Sequence, residues 1–350
     1  MEVGLLKLFL SIALFAALLL CPAASADGVR DGLSLAAREA LPALFPFFAA
    51  GALLVRTGAA ARLSRLFARP LHRLYGLPPD AAPAVLLGLT GGYPVGAATT
   101  ANLLREGRLG RADASRVLSF CNCASPGFCI GLVGLGVFGS TKTGAVLYGI
   151  HAVSALLTGL VTARFGVQDA VPATLSTAPD VGEAFAPAFC GAVQDAAGTS
   201  LTVTAFLTVF SVLLALLSPI FVGFSGAPFA AGLLELTNGL DHLSALPVPS
   251  VLLPVFASFL LGFGGLAVQF QVRAIAAPFA LSLRRFTLGK LLHGLIAAAL
   301  TLCLIRLSPS ALPAFAPTAA QTAPVMDWTG AVLLLFLILF PFWDWKRGGK

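Results

Sequence analysis

The stretch Pro83–Phe138 restricts the fold of this chain more than any other. It holds two apolar segments, Pro83–Leu104 and Val117–Phe138, each long enough to enter a bilayer and each broken at its centre. The breaks are Gly91-Gly92-Tyr93-Pro94 and Asn122-Cys123-Ala124-Ser125-Pro126-Gly127. In lipid every backbone N–H and C=O must be satisfied within the protein. Irregular backbone therefore survives at membrane depth only where it packs in protein or lines a wet cavity. Pro94 and Pro126 each remove a donor, and the glycines permit tight turning. One such break could be a simple kink, since Gly and Pro are commoner in membrane helices than in soluble ones. Two breaks flanking one basic loop predict re-entrant or discontinuous segments whose half-helix ends form a polar site near the midplane.

Composition places those segments in a membrane protein. The 350 residues are 58% hydrophobic and 11% charged, against about 25% charged in a soluble domain, and mean hydropathy is +0.92. The net charge of +7 reflects Lys and Arg gathered in cytoplasmic loops, so no nucleic-acid partner is implied. Six cysteines, at 21, 121, 123, 129, 190 and 303, lack the spacing of a disulfide framework. Cys121, Cys123 and Cys129 have no His or carboxylate within their segment, so they read as small buried hydrophobes rather than metal ligands. No metal and no cofactor is expected.

Taken in order, residues 1–26 read as a retained first transmembrane helix with signal-like features, including Ala24-Ser25-Ala26 as a cleavage motif. Asp27–Glu39 reads as an external lead-in and Leu41–Val55 as a span. Arg56, Arg62, Arg65, Arg69 and Arg73 follow without an acid, which predicts a cytoplasmic helix lying on the membrane surface with a solvated basic face. Further spans are expected at Thr143–Ala163, Leu201–Leu217, Val251–Leu266 and Leu288–Ile305, the last preceded by cytoplasmic Arg284, Arg285 and Lys290. Gln168–Glu183 is acidic and suits the outside. A Pro/Ala/Thr linker at 308–327 and a C-terminal helix with a basic tail at 328–350 put the C-terminus in the cytoplasm.

An internal repeat accompanies the breaks. LYGIHAVSALLTGLVTARF aligns with GKLLHGLIAAALTLCLIRL, superposing His151 on His293 and Arg164 on Arg306, and AVLLGLTGGYPVGA resembles FLLGFGGLAVQFQV. The expected fold is therefore an all-α polytopic membrane protein of two repeated halves, 27–166 and 184–307, joined by an acidic loop at 167–183. Each half carries broken or re-entrant helices around a central polar site. Charge counting gives the halves the same orientation, and an inverted pair stays open if Gln168–Glu183 is internal.

At GGYPVGA, followed by FCNCASPGF and then His151, the chain resembles the YlbJ family of sporulation integral membrane proteins, which belongs with the nucleoside-recognition or Gate-domain proteins. The run from Gly264-Gly265 to Gln271 is similar to that family's second glycine motif, and the likeness spans about Leu33–Arg306. The resemblance implies a multi-pass cell-membrane protein needed in sporulation, for spore cortex formation, and related to nucleoside-type carriers. Ala98 and Ala267 stand where that family often carries Lys and Ser.

The candidate solute-binding residues are Gly91, Gly92, Tyr93, Pro94, Gly96, Asn122, Ser125, Pro126, Glu235, Asn238, Gly264, Gly265, Gln269 and Gln271. Tyr93, Asn122 and Ser125 offer donors and acceptors to a neutral polar solute, although they could equally satisfy the broken backbone. Glu235, ionisable inside an apolar piece, is a candidate coupling-ion ligand, with an interfacial turn through Asn238 as the alternative. Gln269 and Gln271 could share one cavity face if their segment is extended. His151 and His293 read more readily as packing residues than as a proton relay, and Asp195 as a helix cap. Expected partners are a small polar, nucleoside-like solute, a coupling ion, the bilayer, and a second copy or other sporulation membrane proteins. No enzyme constellation is present. The rival reading is a non-transporting scaffold for an envelope-assembly complex, acting through the Arg56–Arg73 face.

Overall fold

A computed structural model of the chain describes residues 2–164, 182–279, 281 and 283–308. The C-terminal linker and last helix expected from the sequence, and most of the acidic loop, lie outside these residues. Among the described residues the chain is helical, without strands. Five helical stretches are long and apolar enough to cross a membrane: Pro22–Arg56, Thr141–Arg164, Phe185–Phe221, Ser250–Phe279 and Arg284–Leu307.

Helix α1 (Glu2–Leu20) is apolar and exposes most of its side chains from Leu5 onward. After it, α2 (Pro22–Leu35), a π-helical turn (Ala36–Ala40) and α3 (Leu41–Arg56) form one continuous run. The lead-in expected at Asp27–Glu39 is thus helix, and its sequence explains why. Gly28, Gly32, Ala36 and Ala40 recur every four residues and are all buried, a small-residue stripe that lets another backbone approach closely. That backbone is α9 (Phe185–Phe221): a Cβ on Gly28 would lie 2.6 Å from Val212 Cα, and one on Gly32 2.6 Å from Thr208 Cα. At the other end Arg56 meets Asp195, so the two long helices are antiparallel.

Helix α4 (Ala59–Tyr75) leads to α5 (Ala82–Thr90) and α6 (Val95–Arg105). These two double back on each other with Gly88 against Gly96. The mouth of this hairpin is clasped by Arg108, whose Nη2 donates to Asp80 Oδ1 at 2.7 Å. Helix α7 (Arg111–Cys121) stops at the second break, and a π-helix (Phe128–Val137) continues beyond it. Helix α8 (Thr141–Arg164) then returns along both, with Gly144 against Gly134 and Thr162 against Ser119.

A second part follows α9. Helices α10 (Ala227–Leu234) and α11 (Leu236–Asp241) form a short hairpin in which Gly232 meets Gly239. Then α12 (Leu253–Phe263) and α13 (Gly265–Ala276) flank a break at Gly264-Gly265. Finally α14 (Arg284–Leu307) runs from Ser119 of α7, beside Gly289, to Ser258 of α12, beside Thr301. Because α8 ends where α14 begins, at Ser119, these two helices are antiparallel where His151 meets His293. Helices α7 and α12 are each 11 residues long, which is about 16 Å at 1.5 Å per residue. That is roughly half of a ~30 Å hydrocarbon layer.

One sequence expectation is overturned here. The Arg56 segment and the loop ending at Glu183 were placed on opposite sides of the membrane. Arg56 Nη1 instead pairs with Glu183 Oε1 at 2.9 Å, and the Glu183 N–H donates to the Arg56 carbonyl at 2.9 Å. The two are on one side. Arg56 also bonds Asp195 Oδ2 at 2.7 Å, so Arg56 is paired rather than solvated, and Asp195 lies well inside α9 rather than at its cap.

Candidate functional site

The two breaks of the first part lock together backbone to backbone. Gly88 and Gly96 carry no side chain where the Cys121 carbonyl wedges between α5 and α6, and a Cβ on either would overlap that oxygen. Beyond it, several backbone groups freed by the break in α7 find partners. The Asn122 carbonyl accepts from Lys290 Nζ at 3.0 Å, the Cys123 N–H donates to the Gly88 carbonyl at 3.2 Å, and the Ala124 N–H donates to His151 Nε2 at 3.0 Å. Ser125 Oγ accepts the Phe128 N–H at 3.1 Å, capping the π-helix, and Gly92 packs on the Ser125 side chain. This is how an irregular segment survives at membrane depth. Gly92 has φ +87° and the Tyr93-Pro94 peptide bond is cis.

The breaks of the second part meet in the same manner. Gly264 and Gly265 both have positive φ, +81° and +71°, a conformation for which other residues are strained. A Cβ on Gly265 would come 3.1 Å from the Gly232 carbonyl oxygen and 3.1 Å from Leu236 N. Glu235 separates α10 from α11 and is 4% exposed. Its Oε2 accepts the Asn238 N–H at 2.7 Å and Asn238 Nδ2 at 2.9 Å, and Asn238 Nδ2 also reaches Ser211 Oγ at 3.0 Å. Glu235 is thus the buried N-cap of α11.

Lys290 joins the two parts, and it is the residue that sequence reasoning misplaced. Expected among the cytoplasmic charges before a span, it lies inside α14 with 0% exposure. Its ammonium donates to the Asn122 carbonyl and, at 3.4 Å, to Tyr93 Oη, with the Tyr93 ring centroid 5.0 Å away. Tyr93 in turn donates to the Leu261 carbonyl at 2.5 Å, and Gly264 leaves room over both side chains. Lys290 has no carboxylate partner among the described residues. The available signal was spacing: Lys290 and His293, three apart, share one face of α14. The rings of His151 and His293 stack at 4.5 Å, and His293 Nε2 donates to the His151 carbonyl at 3.0 Å. Since His151 Nε2 accepts from Ala124, a neutral His151 carries its proton on Nδ1. Both Nδ1 atoms are buried without a partner.

Where the two parts face each other a cavity of about 30 Å³ remains, lined by Tyr93, Phe128, Glu235, Thr237, Val268 and Gln271, with Val203 and Leu207 of α9. Every break contributes to it, directly or through the turn that follows. Of the sequence candidates, Tyr93, Glu235 and Gln271 reach this space. Gly91, Gly92, Pro94, Gly96, Asn122, Ser125 and Pro126 build the interlocked first breaks, Gly264 and Gly265 the fourth, and Asn238 stands behind Glu235. Gln269 and Gln271 lie on helix α13, not on an extended segment, so they point ~200° apart and only Gln271 lines the cavity. Neither side-chain polar atom of Asn122 or Gln269 has a partner, although both residues are buried. Thr237 was not foreseen.

Residues 37–141, from the π-helical turn before α3 to the start of α8, match the family model named Gate and described as nucleoside recognition. Along most of its length the chain also aligns with the sporulation integral membrane protein YlbJ of Bacillus subtilis (strain 168), 29% identical over 325 residues, covering 81% of this chain and 78% of that protein. Over most of its length the chain is thus similar to a sporulation integral membrane protein. No solved structure matches it. The Gate match takes in α3, α4, the α5–α6 hairpin, and both halves of the helix broken at Asn122, so the region with the interlocked backbone is the region the family model describes. The rest of the cavity lining, from Val203 to Gln271, comes from outside that match.

Proposed function

We propose that this protein passes a small polar, nucleoside-like solute across the cell membrane during sporulation, in support of spore cortex formation. The observation that carries the reading is the central cavity reached from all four breaks, with Tyr93, Glu235, Thr237 and Gln271 as its polar groups. A drug-sized ligand needs roughly 300 Å³ or more, so a space of about 30 Å³ is a shut state. Passage requires the two parts to separate around Gly264-Gly265 and the GGYP turn. The antiparallel course of α8 and α14 supports two halves in inverted orientation, each made of a re-entrant hairpin, a broken crossing helix and a full crossing helix. The arginine-rich end at Arg56 is the cytoplasmic one. Glu235, the buried carboxylate of the cavity, is the coupling-ion ligand. The Gate description and the YlbJ relative agree with a solute-handling membrane protein of sporulation.

The test is ligand stabilisation of purified protein in lipid, screening nucleosides and cell-wall precursors. A ligand at a hundred times its Kd stabilises the folded state by about 2.7 kcal/mol. A thermal shift with one class, abolished by Glu235→Gln and by Gln271→Ala, is the expected result. Shifts that survive both substitutions would remove the site assignment, and no shift with either class would favour a scaffold.

A further inference from the structure

Helix α4 has three faces where an ordinary surface helix has two. At ~100° per residue, Ala60, Leu71 and Tyr75 share one sector, and these three are buried. A second sector carries Leu66, Phe67 and Leu74, which are 75%, 48% and 61% exposed. The third carries Arg62, Arg65, Arg69 and Arg73, all exposed, and Ala59–Tyr75 contains no Asp or Glu. Three large apolar side chains beside a basic stripe suit neither water nor the bilayer core. They suit the plane between them, with the apolar sector in the acyl boundary and the guanidinium groups at the phosphates.

The buried sector connects that plane to the breaks. The Tyr75 ring stacks on Phe120 with centroids 5.3 Å apart and planes at 12°, and its hydroxyl donates to the Leu156 carbonyl of α8 at 3.2 Å. Arg116 of α7 donates to the carbonyls of Tyr75 and Gly76, the latter at 3.3 Å. Phe120 is two residues before Asn122, so the C-terminal end of α4 is fixed to the last turn of α7 ahead of its break.

We infer that α4 is a docking surface for anionic phospholipid headgroups, and that headgroup binding there holds the α7 break through Tyr75 and Phe120. Charge complementarity selects the occupant, because four exposed arginines on a helix whose own sequence holds no Asp or Glu match a phosphate plane and gain nothing from a zwitterionic one. This does not depend on whether a solute is carried.

The full-length protein in detergent is titrated with phosphatidylglycerol or phosphatidylcholine, with bound lipids counted by native mass spectrometry and amide exchange followed over residues 111–127. Phosphatidylglycerol is expected to be retained preferentially and to slow exchange across that segment. Affinity should drop by roughly fivefold per arginine removed, so the preference vanishes in the Arg62→Gln, Arg65→Gln, Arg69→Gln, Arg73→Gln variant and persists with Lys at all four positions. Equal retention of the two lipids, or an unchanged preference in the Gln variant, overturns the proposal. So does inorganic phosphate slowing exchange as well as the lipid does. Should the Gln variant misfold, added salt must weaken the preference of the unmodified protein, and indifference to salt overturns it as well.

Discussion

Gly88→Ala tests the interlocked breaks directly. The new methyl would overlap the Cys121 carbonyl oxygen and lie 2.7 Å from its carbon, atoms of backbone that no rotamer change can move. Relief requires α5 to part from α7, an overpacking cost of about 2–3 kcal/mol. The parting also breaks the 3.2 Å bond from the Cys123 N–H to the Gly88 carbonyl, leaving a buried donor unpaired at about 1–2 kcal/mol. Together these come to roughly 4 kcal/mol, which at ~2–3 °C per kcal/mol for a chain of this size lowers the melting temperature by about 10 °C. Differential scanning fluorimetry of the purified protein in lipid reads this. The matched control is Gly149→Ala on α8, where a Cβ meets nothing within 4 Å. That change should be neutral or stabilise by up to about 1 kcal/mol. A Gly88→Ala protein melting within about 2 °C of the parent would refute the backbone contact between the first two breaks.

Two further outcomes follow from the polar contacts. Tyr93→Phe removes the donor to the Leu261 carbonyl and one acceptor of Lys290, and should cost about 1–3 kcal/mol in a thermal melt, whereas Tyr148→Phe, half-exposed with one 3.2 Å bond to the Leu89 carbonyl, should cost less. Arg56→Gln breaks two partly exposed ion pairs worth no more than about 1 kcal/mol together, and the difference from the parent should shrink as salt is raised; a salt-independent loss would show that the pairs are not its cause.

The breaks themselves were legible where Gly or Pro coincides with short polar runs inside apolar segments, and GGYP, NCASPG and Glu235 all mark real interruptions. What they do to each other was not legible, since the Cys121 carbonyl between Gly88 and Gly96 is a long-range fit of backbone that leaves no pattern in sequence. Charge misled twice. Lys290 follows Arg284 and Arg285 and so reads as part of a flanking loop, yet it lies nearly two turns inside α14, where its chain reaches the first breaks. Asp27, Arg30, Asp31, Arg38 and Glu39 suggested an external lead-in, whereas Arg30 pairs with Asp27 at 2.7 Å along a helix and the small residues among them form the buried stripe. Glu183 shows a related limit. Acidity indicated a side of the membrane, but a carboxylate drawn to Arg56 is found wherever Arg56 is.

The meeting of Arg56 with Glu183 has a consequence for ancestry. On the proposed reading, with α5–α6 re-entrant, the stretch that opens with α2 and closes with α8 makes an odd number of passes and so starts at one end of the bundle and finishes at the other. Anything appended to it begins where it stopped. A tandem duplication of such a unit needs no change of loop charge to turn its second copy over: odd parity inverts each successor, and a gene that doubled once would already encode two mouths facing opposite ways.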